Sequence, residues 1–169
     1  MLSAIMWAIR KAFPSVKEMT TEELDSLTSP EAAGEPKKMW LLDVRAPEEF
    51  AVSRLTGAKF LAPESTDEQL RPLIDDAVAQ GVEKLVCYCS VGARSAMKAK
   101  QLEALFKKLA EEEKSSFTLS AYNLAGSLFK WANEGRPMVD NAGQPTTFVH
   151  PYSSLWGQCI DKNRWKWTP

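Results

Sequence analysis

The chain has 169 residues, 44% of them hydrophobic and 25% charged, with a formal net charge of -1. That length suits one domain with a buried core, and the near-neutral balance excludes a global basic field that would recruit nucleic acid. The 3 cysteines are too few for a disulfide scaffold, which favours a reducing compartment, cytoplasmic or mitochondrial, and the single histidine, His150, excludes a histidine-rich metal site.

Residues 1–14 read as an N-terminal amphipathic segment. Leu2 to Ile9 is apolar but far short of the roughly 20 residues a membrane span needs. No acid occurs before Glu18, Arg10, Lys11 and Lys17 are basic, and Met1, Ile5, Ile9 and Phe13 recur at helical spacing with Trp7 to one side. Two readings stay open: a targeting or surface-anchoring segment, and an ordinary helix packed on the domain.

Residues 15–140 read as one α/β domain. Thr20 with Glu23 forms a helix-start signature. Ser29 to Lys38, with two prolines and a glycine, reads as a loop. Met39 to Val44 is an apolar run suited to a strand buried on both faces. Pro47 opens a short helix with Glu48 and Glu49 in its first turn, where acids complement the helix dipole. A short strand is expected at Ala58 to Leu61. Asp67 to Ala79 carries helical apolar spacing at Leu70, Leu73, Ile74 and Ala77, and Gly81 ends it. Leu85 to Tyr88 reads as a strand and Ser90 to Arg94 as a tight turn. Ser95 to Glu113 follows as a long helix with its apolar face at Met97, Leu102, Leu105, Phe106 and Leu109. Phe117 to Leu119 is expected as a strand and Ser127 to Asn133 as a helix ended by Gly135. Residues 141–169 form a tail, turning at Asn141-Ala142-Gly143. Packing of this tail on the domain competes with an interface role for Trp165-Lys166-Trp167. Alternating strands and helices predict a largely parallel sheet covered on both faces, with its ligand site at the carboxyl ends of the strands.

The turn Cys89-Ser90-Val91-Gly92-Ala93-Arg94-Ser95 is the candidate site. A cysteine between a buried strand and a long helix faces backbone N–H groups and a helix N-terminus, both of which stabilise an anion. A thiolate there has a depressed pKa. Gly92 lets the turn close, and Arg94 supplies a charge that either braces the loop or meets an anionic substrate. Asp43, at the end of its strand, should lie near this loop and pair with Arg94 or Arg45, or serve the strand end structurally. Cys87 reads as a buried strand cysteine, since no second pair completes a Cys-x-Cys metal site. Cys159 is a candidate resolving thiol, His150 reads as a surface or packing residue and not as a catalyst, and Trp131 reads as core.

Together these segments resemble the rhodanese family. The loop is similar to its active-site signature, a cysteine followed after four residues by arginine and then a small hydroxylated residue. Leu41-Leu42-Asp43-Val44-Arg45-Ala46-Pro47-Glu48-Glu49-Phe50 resembles its first signature, and Leu55-Thr56-Gly57-Ala58 the segment after it. Asn123-Leu124-Ala125-Gly126-Ser127, with Trp131, Gly135 and Pro137, resembles its closing signature. The resemblance covers roughly Val16 to Val139.

The resemblance implies a three-layer α/β/α fold around a mostly parallel five-stranded sheet. It also implies sulfur transfer from thiosulfate or a persulfide donor to a thiol or cyanide through a Cys89 persulfide. Arg94 would supply charge, and the backbone of Ser90, Val91, Gly92, Ala93 and Ser95 would cradle the sulfur. Asp43, Arg45 and Arg54 are candidate supports. No metal or organic cofactor is implied, and the partners are small sulfur donors and thiol acceptors, such as glutathione or thioredoxin-like proteins. Arg54 stands where many relatives have histidine, and Ser90 and Val91 leave the loop without a further basic residue. A less positive loop binds the thiosulfate dianion less well and favours persulfide donors. Two other functions compete. A non-catalytic binding module of this fold would normally have lost the cysteine. Cell-cycle-type tyrosine phosphatases and related arsenate reductases use a loop with one residue more between cysteine and arginine.

Overall fold

A computed structural model of the protein describes residues 1–29, 38–113 and 118–169. In chain order the elements are α1 (Leu2–Ala12), β1 (Lys17–Met19), α2 (Thr21–Thr28), β2 (Met39–Asp43), α3 (Pro47–Val52), β3 (Lys59–Phe60), α4 (Asp67–Ala79), β4 (Lys84–Tyr88), α5 (Ala93–Glu113), β5 (Ser120–Leu124) and α6 (Ser127–Asn133). Two short 3-10 turns, Trp156–Cys159 and Lys162–Arg164, follow. The five strands form one sheet in the order β1-β5-β4-β2-β3, every pair parallel.

The strand side chains alternate between two cores, as the period of a strand requires. Leu42, Leu85, Cys87 and Ala121 face a cluster completed by Leu70 and Ile74 of α4 and Leu102, Leu105 and Phe106 of α5. Leu41, Val86, Tyr88 and Leu124 face the opposite cluster, with Leu24 of α2 and Leu128, Phe129 and Trp131 of α6. Helices therefore cover both faces, the expected three-layer arrangement, and the strands are buried on both sides as their unbroken apolar runs predict.

Local chemistry accounts for the helix starts. Thr20 accepts the Glu23 N–H while the Glu23 carboxylate accepts the Thr20 N–H, a complete capping box, and Thr66 with Gln69 forms another at α4. Pro47 occupies the first turn of α3, where its missing N–H costs nothing.

Some expectations need correcting. The strand expected at Phe117 to Leu119 is displaced: Phe117 lies outside the described residues, and β5 begins at Ser120. Residues 120–124 are strand because they are flanked by β1 and β4, so ladder context overrides a local pattern that contains Asn123. The three-residue β1 carries no periodicity and was not expected. Met97 is 61% exposed rather than part of the α5 apolar face; small Ser95, Ala96 and Ala99 occupy the inner side at that level. Of the loop expected at Ser29 to Lys38, residues 30–37 lie outside the described residues. No described helix is long and apolar enough to cross a membrane.

Candidate active site

Three central strands end at the site. β4 delivers Cys89 directly after Tyr88, and α5 begins four residues later at Ala93. β2 leads through Asp43 into α3 and Glu49, and β5 leads to Ser127 at the start of α6. The loop is held from behind. The carbonyls of Cys89 and Ser90 accept the N–H groups of Leu128 and Phe129, each at 3.0 Å, and the Cys89 N–H donates to Ser127 Oγ at 3.1 Å. Gly92 N–H donates to Cys89 Sγ at 3.1 Å. Gly92 has φ +114°, a backbone conformation that a side chain disfavours.

A hydroxyl and amide cluster completes the surroundings of the sulfur. Ser95 Oγ lies 3.5 Å from Cys89 Sγ and 2.6 Å from Asn123 Oδ1. Its one proton serves one of these acceptors at a time. Ser127, buried with φ 51°, places its hydroxyl 3.3 Å from that of Ser95.

Arg94 is not a free cation. Its guanidinium forms two hydrogen bonds with the Glu49 carboxylate, at 2.7 and 2.9 Å, and a third with Ser90 Oγ at 3.0 Å. Ser90 Oγ itself donates to Glu49 at 2.8 Å. The Tyr152 ring lies 4.6 Å from the guanidinium carbon. Burial pushes the Cys89 thiol pKa up, but the positive charge of Arg94 and the hydrogen bonds from Ser95 and Gly92 outweigh it, so the net shift is downward. For Glu49 burial also acts upward, and the Arg94 hydrogen bonds and charge carry the carboxyl below its ordinary value.

The remaining sequence-predicted residues fall in different places. Val91 and Ser90 are buried in the loop and Ala93 is exposed at its end. Asp43 pairs with Arg45, not Arg94: the two are wholly buried with an N–O distance of 2.6 Å, and Arg45 also donates to the Ser53 carbonyl. They form a structural post beneath α3, one step removed from the loop. Arg54 contacts the Phe50 carbonyl, the Phe50 ring and Asn141, all of them outside the loop. Cys87 is a wholly buried strand residue whose thiol is pushed up to about 12 by desolvation. Cys159 is buried in the α6-side core. His150 is buried, accepts the Tyr152 N–H and packs edge-on against Trp167. Trp131 is core, and Trp165 packs over Gly157. Among the described residues no group of His, Cys, Asp or Glu is placed to hold a metal ion.

Sequence reasoning missed Glu49, Asn123 and Ser127 as site residues. Locally Glu49 serves only the α3 dipole, yet it stands in the first family-like segment, and Asn123 and Ser127 stand in the closing one. A cavity of about 450 Å3 opens over Cys89 between α1 and the tail residues Tyr152 and Trp156.

A family model described as Rhodanese-like domain matches residues 23–134, well over half of the chain. Among solved structures, an As-Sb reductase from Leishmania major superposes with a TM-score of 0.61 at 18% identity, over 78% of this chain and 92% of that one. A thiosulfate sulfurtransferase from Pseudomonas aeruginosa gives 0.54 at 19% identity, over 76% of this chain but only 20% of the other. A rhodanese-like domain from Anabaena gives 0.51 at 17% identity, over 73% and 78%. At these identities the likeness is one of fold. No curated protein matches by sequence.

Proposed function

Because the chain belongs to the rhodanese-like domain family, we propose that it is a sulfurtransferase that carries a sulfane sulfur as a persulfide on Cys89. The observation that carries this reading is the cradle at the sulfur: Gly92 N–H at 3.1 Å, the Ser95 hydroxyl at 3.5 Å and a thiol pKa held down despite complete burial. A buried thiolate next to fixed donors is an activated nucleophile. The same donors suit the terminal sulfur of a persulfide anion.

In the first half-reaction the Cys89 thiolate attacks the outer sulfur of the donor. A bond forms between Sγ and that sulfur, and the donor's own bond to it breaks, its electron pair leaving with sulfite when the donor is thiosulfate or with a thiolate when it is a persulfide. In the second, cyanide or a thiolate attacks the outer sulfur of the persulfide and the Cys89 thiolate leaves. Each leaving group departs as a stable anion, so no general acid is required. The Glu49–Arg94 pair holds the loop in shape and leaves little net charge for a dianion, which favours persulfide donors over thiosulfate.

Steady-state kinetics with varied donor and cyanide test the reading. It expects parallel double-reciprocal lines, the sign of a loaded enzyme between two half-reactions, and no turnover by Cys89→Ser. Turnover retained in Cys89→Ser, or absence of turnover in the wild type with both thiosulfate and persulfide donors, contradicts it.

A further inference from the structure

Two segments outside residues 23–134 close over Cys89. α1 lies across the loop: Ile9 is buried, and its Cδ1 stands 3.6 Å from where a side chain on Gly92 would begin. Ile5, Ile9 and Phe13, with Ala8 and Ala12 between them, present one helical face to the 450 Å3 cavity. Tyr152 and Trp156 of the tail also line it, with Cys89, Val91 and Arg94 of the loop. Besides the Cys89 thiolate itself, Arg94 is the one charged residue among the described lining residues. That charge is matched by Glu49, and the Tyr152 ring lies against the guanidinium at 4.6 Å.

A pocket with so apolar a lining gives a doubly charged donor no free cation in place of the water it sheds there. It rewards an apolar body, which removes its own surface and that of the walls from water. Resting on the sulfur-carrier reading above, we infer that α1 and the Tyr152–Trp156 wall are the specificity elements of this site. They accept the uncharged aryl or alkyl body of an organic sulfane-sulfur donor while its outer sulfur reaches Cys89. For an organic thiosulfonate the step balances as follows. The Cys89 thiolate bonds to the outer sulfur, the bond from that sulfur to the sulfonyl sulfur breaks, and the electron pair leaves with an organic sulfinate.

The test compares benzenethiosulfonate, methanethiosulfonate and thiosulfate as donors to the full chain, with loading of Cys89 followed by intact mass and kcat/KM measured with cyanide as acceptor. The first two carry equal charge and differ in their apolar body. The expected kcat/KM ratio of benzenethiosulfonate to methanethiosulfonate is about tenfold or more, the scale on which apolar pockets discriminate. Ala8→Trp, which fills the chamber from an exposed position, and Ile5→Asp, which charges its wall, should collapse that ratio toward the intrinsic reactivity of the two donors, through KM. Loading by all three donors with a ratio near one, or with a ratio that both variants leave intact, overturns the specificity inference and leaves the sulfur-carrier reading standing. Loading by none of them overturns both.

Discussion

The Arg94 guanidinium lies bidentate on the Glu49 carboxylate, 45 residues away in sequence, and Ser90 Oγ closes the triangle. Glu49 is 1% exposed, so removing its charge strands a partly buried cation. Glu49→Gln should cost about 3 kcal/mol, the lower end for breaking a buried pair because Arg94 retains some access to water. It should also lower the thiosulfate KM several-fold, since Arg94 becomes available to an anion. Urea denaturation and steady-state kinetics check the two parts.

The same pair predicts an acid dependence. The folded-state pKa of Glu49 is depressed, so its stabilisation is present above the ordinary carboxyl pKa and is lost as pH falls through the lower folded value. The stability difference between wild type and Glu49→Gln should therefore shrink steadily with acidification. A difference that stays constant down to the acid unfolding transition contradicts this assignment.

Cys89 should titrate below the ordinary thiol value of 9.0. Alkylation by a small iodoacetamide-type reagent, followed by peptide mass analysis, should give a midpoint for Cys89 below that of Cys159, which burial raises. Arg94→Met should move the Cys89 midpoint upward, because the favourable charge is lost and the desolvation remains.

At Gly92 the constraint is the backbone. An added Cβ would meet Asn123, Ile9 and Ser127 only at ordinary contact distances of 3.5, 3.6 and 3.7 Å, while φ stays at +114°. Gly92→Ala should cost about 1–3 kcal/mol in thermal or urea unfolding. It should also slow persulfide loading, because relief of the strain moves the N–H away from Sγ.

Asp43→Asn separates scaffold from site. Arg45 is wholly buried, and loss of its counter-charge should cost about 3–5 kcal/mol. The Cys89 alkylation midpoint should stay where it is, because the Asp43 carboxylate is engaged by Arg45, outside the loop.

Much of this layout is legible in the residues themselves. α4 and α6 begin and end where capping, glycine and apolar spacing place them, and the long runs of β2 and β4 announce strands buried on both faces. The site loop is legible because strand, small-residue turn and helix follow one another directly. What depends on long-range contact is not. β1 is too short to have a period, and the hydroxyl that donates to Asn123 Oδ1 comes from Ser95 on another element. The role of Arg94 is decided by a carboxylate from another helix, and a local reading sees Glu49 only as a dipole partner. The covering of Cys89 by α1 and Tyr152 joins the two ends of the chain, which no spacing rule connects.

Intact-mass spectrometry reads sulfur carried on Cys89 directly. The chain is incubated with thiosulfate or a small organic persulfide, measured, and then treated with cyanide, beside Cys89→Ser. The account predicts a gain of about one sulfur atom per chain, removed by cyanide and absent from the variant. An unchanged mass with both donors, or an equal gain in Cys89→Ser, contradicts it.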